Sequence, residues 1–266
     1  MDKILIVGGD SLVGKSLILS WSNKNFEVHS TSRRVDDHEN IYFDLEEPDF
    51  SKFSSHYSFI VFLAGNTNIQ HCIDNPILSE KVNVHNLIVA LNFFETICTN
   101  VLFLSSADVF DGSNPRESVY APHSPKNLYG HHKALVENFI LEKSKIISIL
   151  RLSKVIHSDF KLFLDWKKAV YKKEEIFPYS DKYFSPTQLT QVIDKINHIR
   201  LNNEIQIHHC SGDDDISYFN YALKYLECDP ALITPIKDPS ASKQNFYSSL
   251  QEDCCNNNEK INQIKN

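Results

Sequence analysis

The side chains best suited to move a proton are Tyr129 and Lys133, four residues apart, together with Ser106 at the end of the apolar run Val101 to Leu104. Residues four apart share one face of a helix. The Lys133 ammonium can therefore sit beside the Tyr129 phenol and favour its ionised form, while burial works the other way. A phenol tuned in this way can give up or accept a proton near neutral pH, and the hydroxyl of Ser106 can donate a hydrogen bond to a carbonyl oxygen. A Tyr-x-x-x-Lys pair alone is weak, because a half-buried Tyr with a snorkelling Lys looks the same. Position strengthens it: the pair follows the serine-bearing run and opens the helix that precedes the apolar run Ile146 to Leu150.

A second constellation stands near the start of the chain. Val7-Gly8-Gly9-Asp10-Ser11-Leu12-Val13-Gly14 follows a strand-like run and leads into a helix-like one. Glycines let the backbone approach a pyrophosphate closely, and the helix offers unpaired N–H groups and its positive dipole end. The plain alternative is an ordinary strand-to-helix turn, and Ser11 stands where the pattern has its middle glycine. After the next strand-like run, where an acidic residue would contact the ribose hydroxyls of NAD, the chain has Thr31-Ser32-Arg33-Arg34. Two guanidinium groups suit a 2′-phosphate, so the expected cofactor is NADP(H); the alternative is a solvated pair of charges. Asp44-Leu45 would border the adenine.

Other chemistry is excluded or bland. His131-His132 and His208-His209 are adjacent pairs whose side chains diverge on a helix and on a strand, with no further ligand at metal spacing, so no metal is expected. The six cysteines include no CxxC and read as reduced thiols. A formal net charge of -7 argues against nucleic acid and against an anionic membrane surface. No run approaches membrane-spanning length and none resembles a signal peptide, so a cytoplasmic location is expected.

The elements that must position these residues alternate. Apolar runs at Ile4 to Val7, Val28 to Ser30, Phe59 to Leu63, Val101 to Leu104 and Ile146 to Leu150 read as strands. Between them Gly14 to Trp21, Pro76 to Ile97 and Leu128 to Leu141 have helical periodicity. The expected fold is α/β, a Rossmann-type doubly wound parallel sheet, with residues 1–153 binding the dinucleotide. Residues 154–266 are expected to form a small C-terminal substrate lobe interleaved with the last sheet elements. Its Lys- and aromatic-rich stretch (Trp166, Lys167, Lys168, Lys172, Lys173) would meet a diphosphate or else form a solvated helix face, and Lys182 would face a sugar. A helix at Leu189 to Ile199, a strand at Ile205 to His208 and a helix at Ser217 to Leu226 are predicted, followed by a polar end, Gln251 to Asn266, weakly held or forming one helix.

Taken in order, these stretches resemble the extended short-chain dehydrogenase/reductases, in the NAD-dependent epimerase/dehydratase superfamily, and within them the dTDP-4-dehydrorhamnose reductase branch. The resemblance rests on the glycine loop, Phe62-Leu63-Ala64-Gly65-Asn66-Thr67, Lys81-Val82-Asn83-Val84, Ser105-Ser106-Ala107-Asp108-Val109-Phe110-Asp111-Gly112, the segment from Pro125 through Tyr129 to Lys133, and Asp181-Lys182-Tyr183-Phe184-Ser185-Pro186-Thr187. It covers most of the chain and departs from the branch at Ser11, Ala107-Asp108, Lys182 and Phe184. The resemblance implies catalysis by Ser106, Tyr129 and Lys133. It implies cofactor contacts from the glycine loop, from Leu63, Ala64 and Gly65, and from Tyr129 and Lys133 themselves, and substrate contacts from Thr67 and Asp108.

The implied activity is NADPH-dependent reduction of a nucleotide-linked keto-deoxysugar, with Tyr129 as general acid and a homodimer as a possible assembly. Two alternatives stay open. One is an epimerase that keeps its nicotinamide bound; the other is an NADP-binding regulatory subunit of the same fold.

Overall fold

The structure is a computed structural model and describes residues 2–22, 26–158, 160–202, 205–239 and 245–252. Cys254, Cys255 and nearly all of the polar C-terminal stretch lie outside the described residues.

Seven parallel strands form the main sheet. In chain order its first half contains β1 (Asp2–Val7), α1 (Leu12–Ser22), β2 (Phe26–Ser32), β3 (Ile41–Tyr42) and β4 (Phe59–Phe62). Three helical segments follow, α2 (Ile69–Asp74), α3 (Pro76–Glu80) and α4 (Asn86–Thr96), and the passage from α3 to α4 is a π-helical turn, Lys81–His85. Then come β5 (Val101–Ser106), α5 (Leu128–Lys143) and β6 (Ile147–Leu152). The strands lie in the order β3, β2, β1, β4, β5, β6, and a later strand, Ile207–Cys210, completes the edge beside β6. Ile4, Leu5, Ile6 and Val7 are all fully buried, as expected for a parallel strand covered on both faces. The order reverses between β1 and β4, which opens a crevice at their carboxyl ends.

One face of the sheet packs under α4 and α5, with Phe43, Phe53, Phe62, Phe94 and Phe103 in its core. The other packs under α1 and a later helix, where Leu17 and Trp21 meet Val192 and Ile196. The Trp21 indole N–H donates to Asn197 Oδ1 at 2.8 Å, tying the two helices together.

The lobe contains β7 (Val155–Ile156), α6 (Lys161–Tyr171), β8 (Lys182–Phe184) and β9 (Thr187–Gln188), the last paired with β7. Helix α7 (Leu189–Asn202) and strand β10 (Ile207–Cys210) then return to the main sheet. The strand begins two residues later than its apolar pattern suggests. The chain ends its described course through β11 (Ile216–Ser217), α8 (Tyr218–Tyr225) and β12 (Phe246–Ser248), with β8 between β11 and β12 in a small mixed sheet. Phe163, Phe184 and Tyr221 form the lobe's aromatic core, Phe163 and Tyr221 stacked at 4.4 Å.

Candidate active site

The glycine loop joins β1 to α1 at the crevice. Gly8 has φ +96°, which a side chain would strain, and a Cβ there would come within 3.0 Å of the Ala64 nitrogen. At Gly14 a Cβ would lie 2.5 Å from the Gly8 carbonyl oxygen, so the missing side chain lets α1 start against the strand end. Ser11 takes up the middle position in a specific way. Its hydroxyl donates to the Gly8 carbonyl at 2.8 Å and accepts from the Gly14 N–H at 3.1 Å, capping the helix from inside the loop.

A cleft of about 410 Å³ opens above this loop. Gly8, Asp10 and Ser11 of the glycine loop, Arg33, Asp44 and Leu45, and Leu63, Ala64 and Gly65 after β4 are among the residues that line it. Its volume is that of a small-molecule site, and glycines held against a helix N-terminus fit a pyrophosphate. Leu12 and Val13 belong to the first turn of α1 and do not line the cleft, nor does Gly9, which packs over Ser30 and Asn40. The two arginines part company: Arg33 lines the cleft, whereas Arg34 Nε stands 3.4 Å from Asp10 Oδ2 at the loop.

Asn83 holds the far wall. Its side chain accepts from the Asn66 N–H at 2.7 Å and donates to the Asn66 carbonyl at 2.9 Å, reproducing a strand-like pairing with a side chain. The π turn that contains Asn83 is the local widening that aims it there. Thr67, one residue beyond this clamp, is exposed and outside the cleft lining.

Ser106 and Asp108 meet at the carboxyl end of β5, and the Asp108 charge bears on Tyr129. Ser106 Oγ donates to Asp108 Oδ2 at 2.9 Å and accepts from the Asp108 N–H at 3.2 Å, capping a single 3-10 turn, Ala107–Val109. The other carboxylate oxygen, Oδ1, accepts from Asn127 Nδ2 at 3.0 Å, and Asn127 Oδ1 caps α5 by accepting from the Gly130 N–H at 2.8 Å. Asp108 thus links the strand that carries Ser106 to the helix that carries Tyr129. Gly130 makes the approach possible, since a Cβ there would be 1.9 Å from the Asp108 carbonyl oxygen.

Tyr129 is 8% exposed, and burial raises its pKa, with the charges of Asp108 and Cys72 adding to the rise. The phenol is therefore protonated in the protein alone. Lys133 lies on the same helical face, its Nζ 5.9 Å from the Tyr129 ring centre and 4.3 Å from that of Phe103, and it donates to the Leu104 carbonyl at 2.7 Å. Burial pulls its ammonium down to about 8, with the charge of Glu137 resisting the shift. The sequence set the Lys133 charge, which favours the phenolate, against burial, which opposes it; in the protein alone burial and the Asp108 charge prevail. Ser106, Tyr129 and Lys133 are not part of the lining of the glycine-loop cleft.

One turn beyond Lys133, a buried ionic cluster was not visible in the sequence. Glu137 and Arg151 are both sealed from water, with Arg151 Nη2 2.6 Å from Glu137 Oε2. His123 Nε2 lies 2.8 Å from the same oxygen, and Arg151 Nη1 reaches the Val119 carbonyl and His209. Burial pushes the Glu137 carboxyl up, but the hydrogen bond from His123 and the charge of Arg151 outweigh it and hold it at about 2. The adjacent histidines do diverge, His131 exposed and His132 buried. Among the described residues no group of three or more His, Cys, Asp and Glu side chains is placed to hold a metal ion.

The lobe lysines do not join these groups. Lys167 lines a separate cavity of about 290 Å³ with Phe163, Trp166, Tyr221 and Tyr225, and Lys168 is exposed on α6. Lys182 Nζ is 2.5 Å from Asp238 Oδ2 and lies over the Tyr179 ring.

Comparison with known proteins gives this geometry a context. The model of a family described as the RmlD substrate binding domain matches residues 1–263. No curated protein sequence matches the chain. Among solved structures, a dTDP-4-dehydrorhamnose reductase from Bacillus anthracis str. Ames in complex with NADP superposes with a TM-score of 0.75 at 19% identity, covering 95% of this chain and 90% of that one. A hypothetical dTDP-4-dehydrorhamnose reductase from Sulfolobus tokodaii gives 0.77 at 22% identity, covering 95% and 92%. A dTDP-glucose 4,6-dehydratase from Streptomyces venezuelae with NAD bound gives 0.77 at 14% identity, covering 94% and 88%. At such identities the likeness is one of fold.

Proposed function

Since the chain belongs to the RmlD substrate binding domain family, we propose that it is an NADPH-dependent reductase of a nucleotide-linked keto-deoxysugar. The observation that carries this reading is Asp108, held by Ser106 at the end of β5, the strand next to β4, with its charge bearing on Tyr129, which shares a helical face with Lys133. The loop after β4 lines the same cleft as the glycine loop. The pyrophosphate would rest on Gly8, Ser11 and the first turn of α1 (Leu12, Val13, Gly14), the 2′-phosphate on Arg33, and the adenine beside Asp44 and Leu45. A bound reduced nicotinamide would supply the hydride.

The chain's own residues do the rest. Tyr129 holds a proton because it is buried beside a carboxylate, and it delivers that proton to the carbonyl oxygen as the hydride arrives at carbon. Ser106 orients the oxygen by donating to it. Lys133 keeps a positive charge on the phenol's side of the helix, stabilising the phenolate that remains. For the substrate's diphosphate the reading assigns Lys167 and Lys168, whereas Lys182 has its charge taken up by Asp238.

The test is NADPH oxidation on a panel of nucleotide-linked keto sugars. Turnover by the native protein, with Tyr129→Phe reduced by at least about a hundred-fold and still binding NADPH, is the expected result. The burial of Tyr129 and the engagement of the Ser106 proton by Asp108 favour one other reading, an NADP-binding regulatory subunit. NADPH binding with no turnover on any member of the panel would replace the first reading with the second.

A further inference from the structure

The glycine-loop cleft is lined by an imidazole, His71, together with Asn66 and Asn68. Three hydrogen bonds hold it. Its backbone N–H donates to Asn68 Oδ1 at 3.0 Å, its carbonyl accepts from the Asn75 N–H at 3.0 Å, and its ring Nδ1 lies 2.6 Å from Asn66 Nδ2. Asn66 Oδ1 is already taken, since it accepts from the Asn68 N–H at 3.1 Å. The Asn66 amide therefore turns its NH2 towards the ring, and the hydrogen-bond network assigns Nδ1 as acceptor, which places the proton of the neutral imidazole on Nε2. Nε2 has no partner among the described residues and is not sealed from solvent.

We infer that His71 is a cofactor-binding residue whose Nε2–H donates to an oxygen of the cofactor's diphosphate. The loop that leads to it lies directly against the glycine loop: the Leu63 N–H donates to the Val7 carbonyl at 2.8 Å, and a Cβ on Gly8 would come within 3.0 Å of the Ala64 nitrogen. Asp10 also lines this cleft, so an anion bound there meets a carboxylate that only the Arg34 contact offsets, and a further donor is favourable. The ring is positioned before any ligand arrives. Asn83 clamps the Asn66 backbone from the π turn, and the Asn66 side chain passes that placement on to His71. The assignment rests on the dinucleotide reading of the cleft, and it adds a donor that lies outside the glycine loop and outside the Ser106, Tyr129 and Lys133 group.

Calorimetry with the full chain tests it, using three probes: NADPH, 2′-phospho-ADP-ribose, which keeps the diphosphate and lacks the nicotinamide, and adenosine 2′-phosphate, which has no diphosphate. His71→Phe keeps a ring and removes the donor. It should weaken NADPH and 2′-phospho-ADP-ribose alike, by about ten-fold, the usual scale of a hydrogen bond to a charged group, and should leave adenosine 2′-phosphate within about two-fold of native. His71→Gln restores a neutral N–H donor of similar reach and should return both diphosphate ligands to within about three-fold of native.

Native-like NADPH affinity in His71→Phe overturns the inference. So does a loss shared by adenosine 2′-phosphate, which would place the effect on the adenosine end or on the fold, and so does a His71→Gln variant that stays as weak as His71→Phe, which would make the ring a packing element. A loss on NADPH without one on 2′-phospho-ADP-ribose moves the contact to the nicotinamide half and overturns the diphosphate assignment. If the native protein binds neither NADPH nor NADH, the dinucleotide reading itself fails and the inference falls with it; native binding with an indifferent His71 removes the inference alone.

Discussion

The Glu137 carboxylate and the Arg151 guanidinium meet at 2.6 Å inside the protein, with neither side chain more than 1% exposed. Glu137 lies one turn after Lys133 on α5, and Arg151 is on β6, so the pair fixes α5 to the sheet. Glu137→Ala leaves a guanidinium buried without its counter-charge, and the expected loss is about 3–5 kcal/mol. Urea denaturation would measure it. A loss below about 1 kcal/mol would mean that His209 and the Val119 carbonyl satisfy Arg151 without the carboxylate.

Acid should find the same pair. The Glu137 carboxyl has an ordinary value of 4.5 and is held at about 2 in the folded chain. The unfolded state therefore binds a proton over this interval that the folded state does not, and stability falls as pH drops from about 4.5 towards 2. Above 4.5 the contribution is complete. Thermal melts of native protein and Glu137→Gln across this window should converge as pH falls; parallel curves would assign the acid sensitivity to other carboxylates.

Arg33 and Arg34 should separate on mutation. Arg33→Ala removes the guanidinium that lines the cleft and should weaken NADPH by about 1.5–3 kcal/mol while leaving NADH nearly unchanged. Arg34→Ala breaks an exposed pair with Asp10 and should cost less for NADPH, about 1 kcal/mol at most. Fluorescence titration of both cofactors decides it. Equal losses for NADPH and NADH at Arg33 would remove the 2′-phosphate assignment.

An alkaline limit on activity should follow from Lys133. Its ammonium, ordinarily at 10.5, is lowered to about 8 by burial. Below that pH it is charged and supports the Tyr129 phenolate; above it, kcat/KM should fall about ten-fold per pH unit. Tyr129 itself is raised and keeps its proton through this range. A rate profile that stays flat to pH 10 would show that the charge of Lys133 is not needed.

Much of the frame was legible because it is periodic. Strands β1, β4, β5 and β6 contain continuous apolar runs, and the helices between them carry their spacing in the sequence, so the α/β alternation could be read without contacts, whereas the two-residue edge strand β3 left no such run. The placement of Ser106 at a strand end and of Tyr129 and Lys133 on one helical face was legible for the same reason, since both are local features. What was not legible is long-range or conformational. Arg151 and His123 are 28 residues apart, and nothing local announces that they share Glu137. The inward hydroxyl of Ser11, the pairing of Arg34 with Asp10 and that of Lys182 with Asp238 each depend on which way a side chain turns. Residues 76–97 carry one helical pattern, which does not disclose that the middle of the helix is wound differently from its ends.

That middle, the π turn Lys81–His85, makes the site sensitive to chain length as well as to chemistry. Successive residues of a regular α-helix are about 100° apart around its axis, and a π turn accommodates a residue more than an α turn does. Delete one residue from it and the helix can rewind smoothly, losing no hydrogen-bonded turn. The two ends would then be out of phase by about 100°, and with α4 fixed by its packing under the sheet, Asn83 could not face Asn66 while α3 kept its place. The turn acts as a vernier: it sets the angular offset between the wall of the cleft and the core beneath it, and a protein with every functional side chain intact could lose the site to a one-residue change in count.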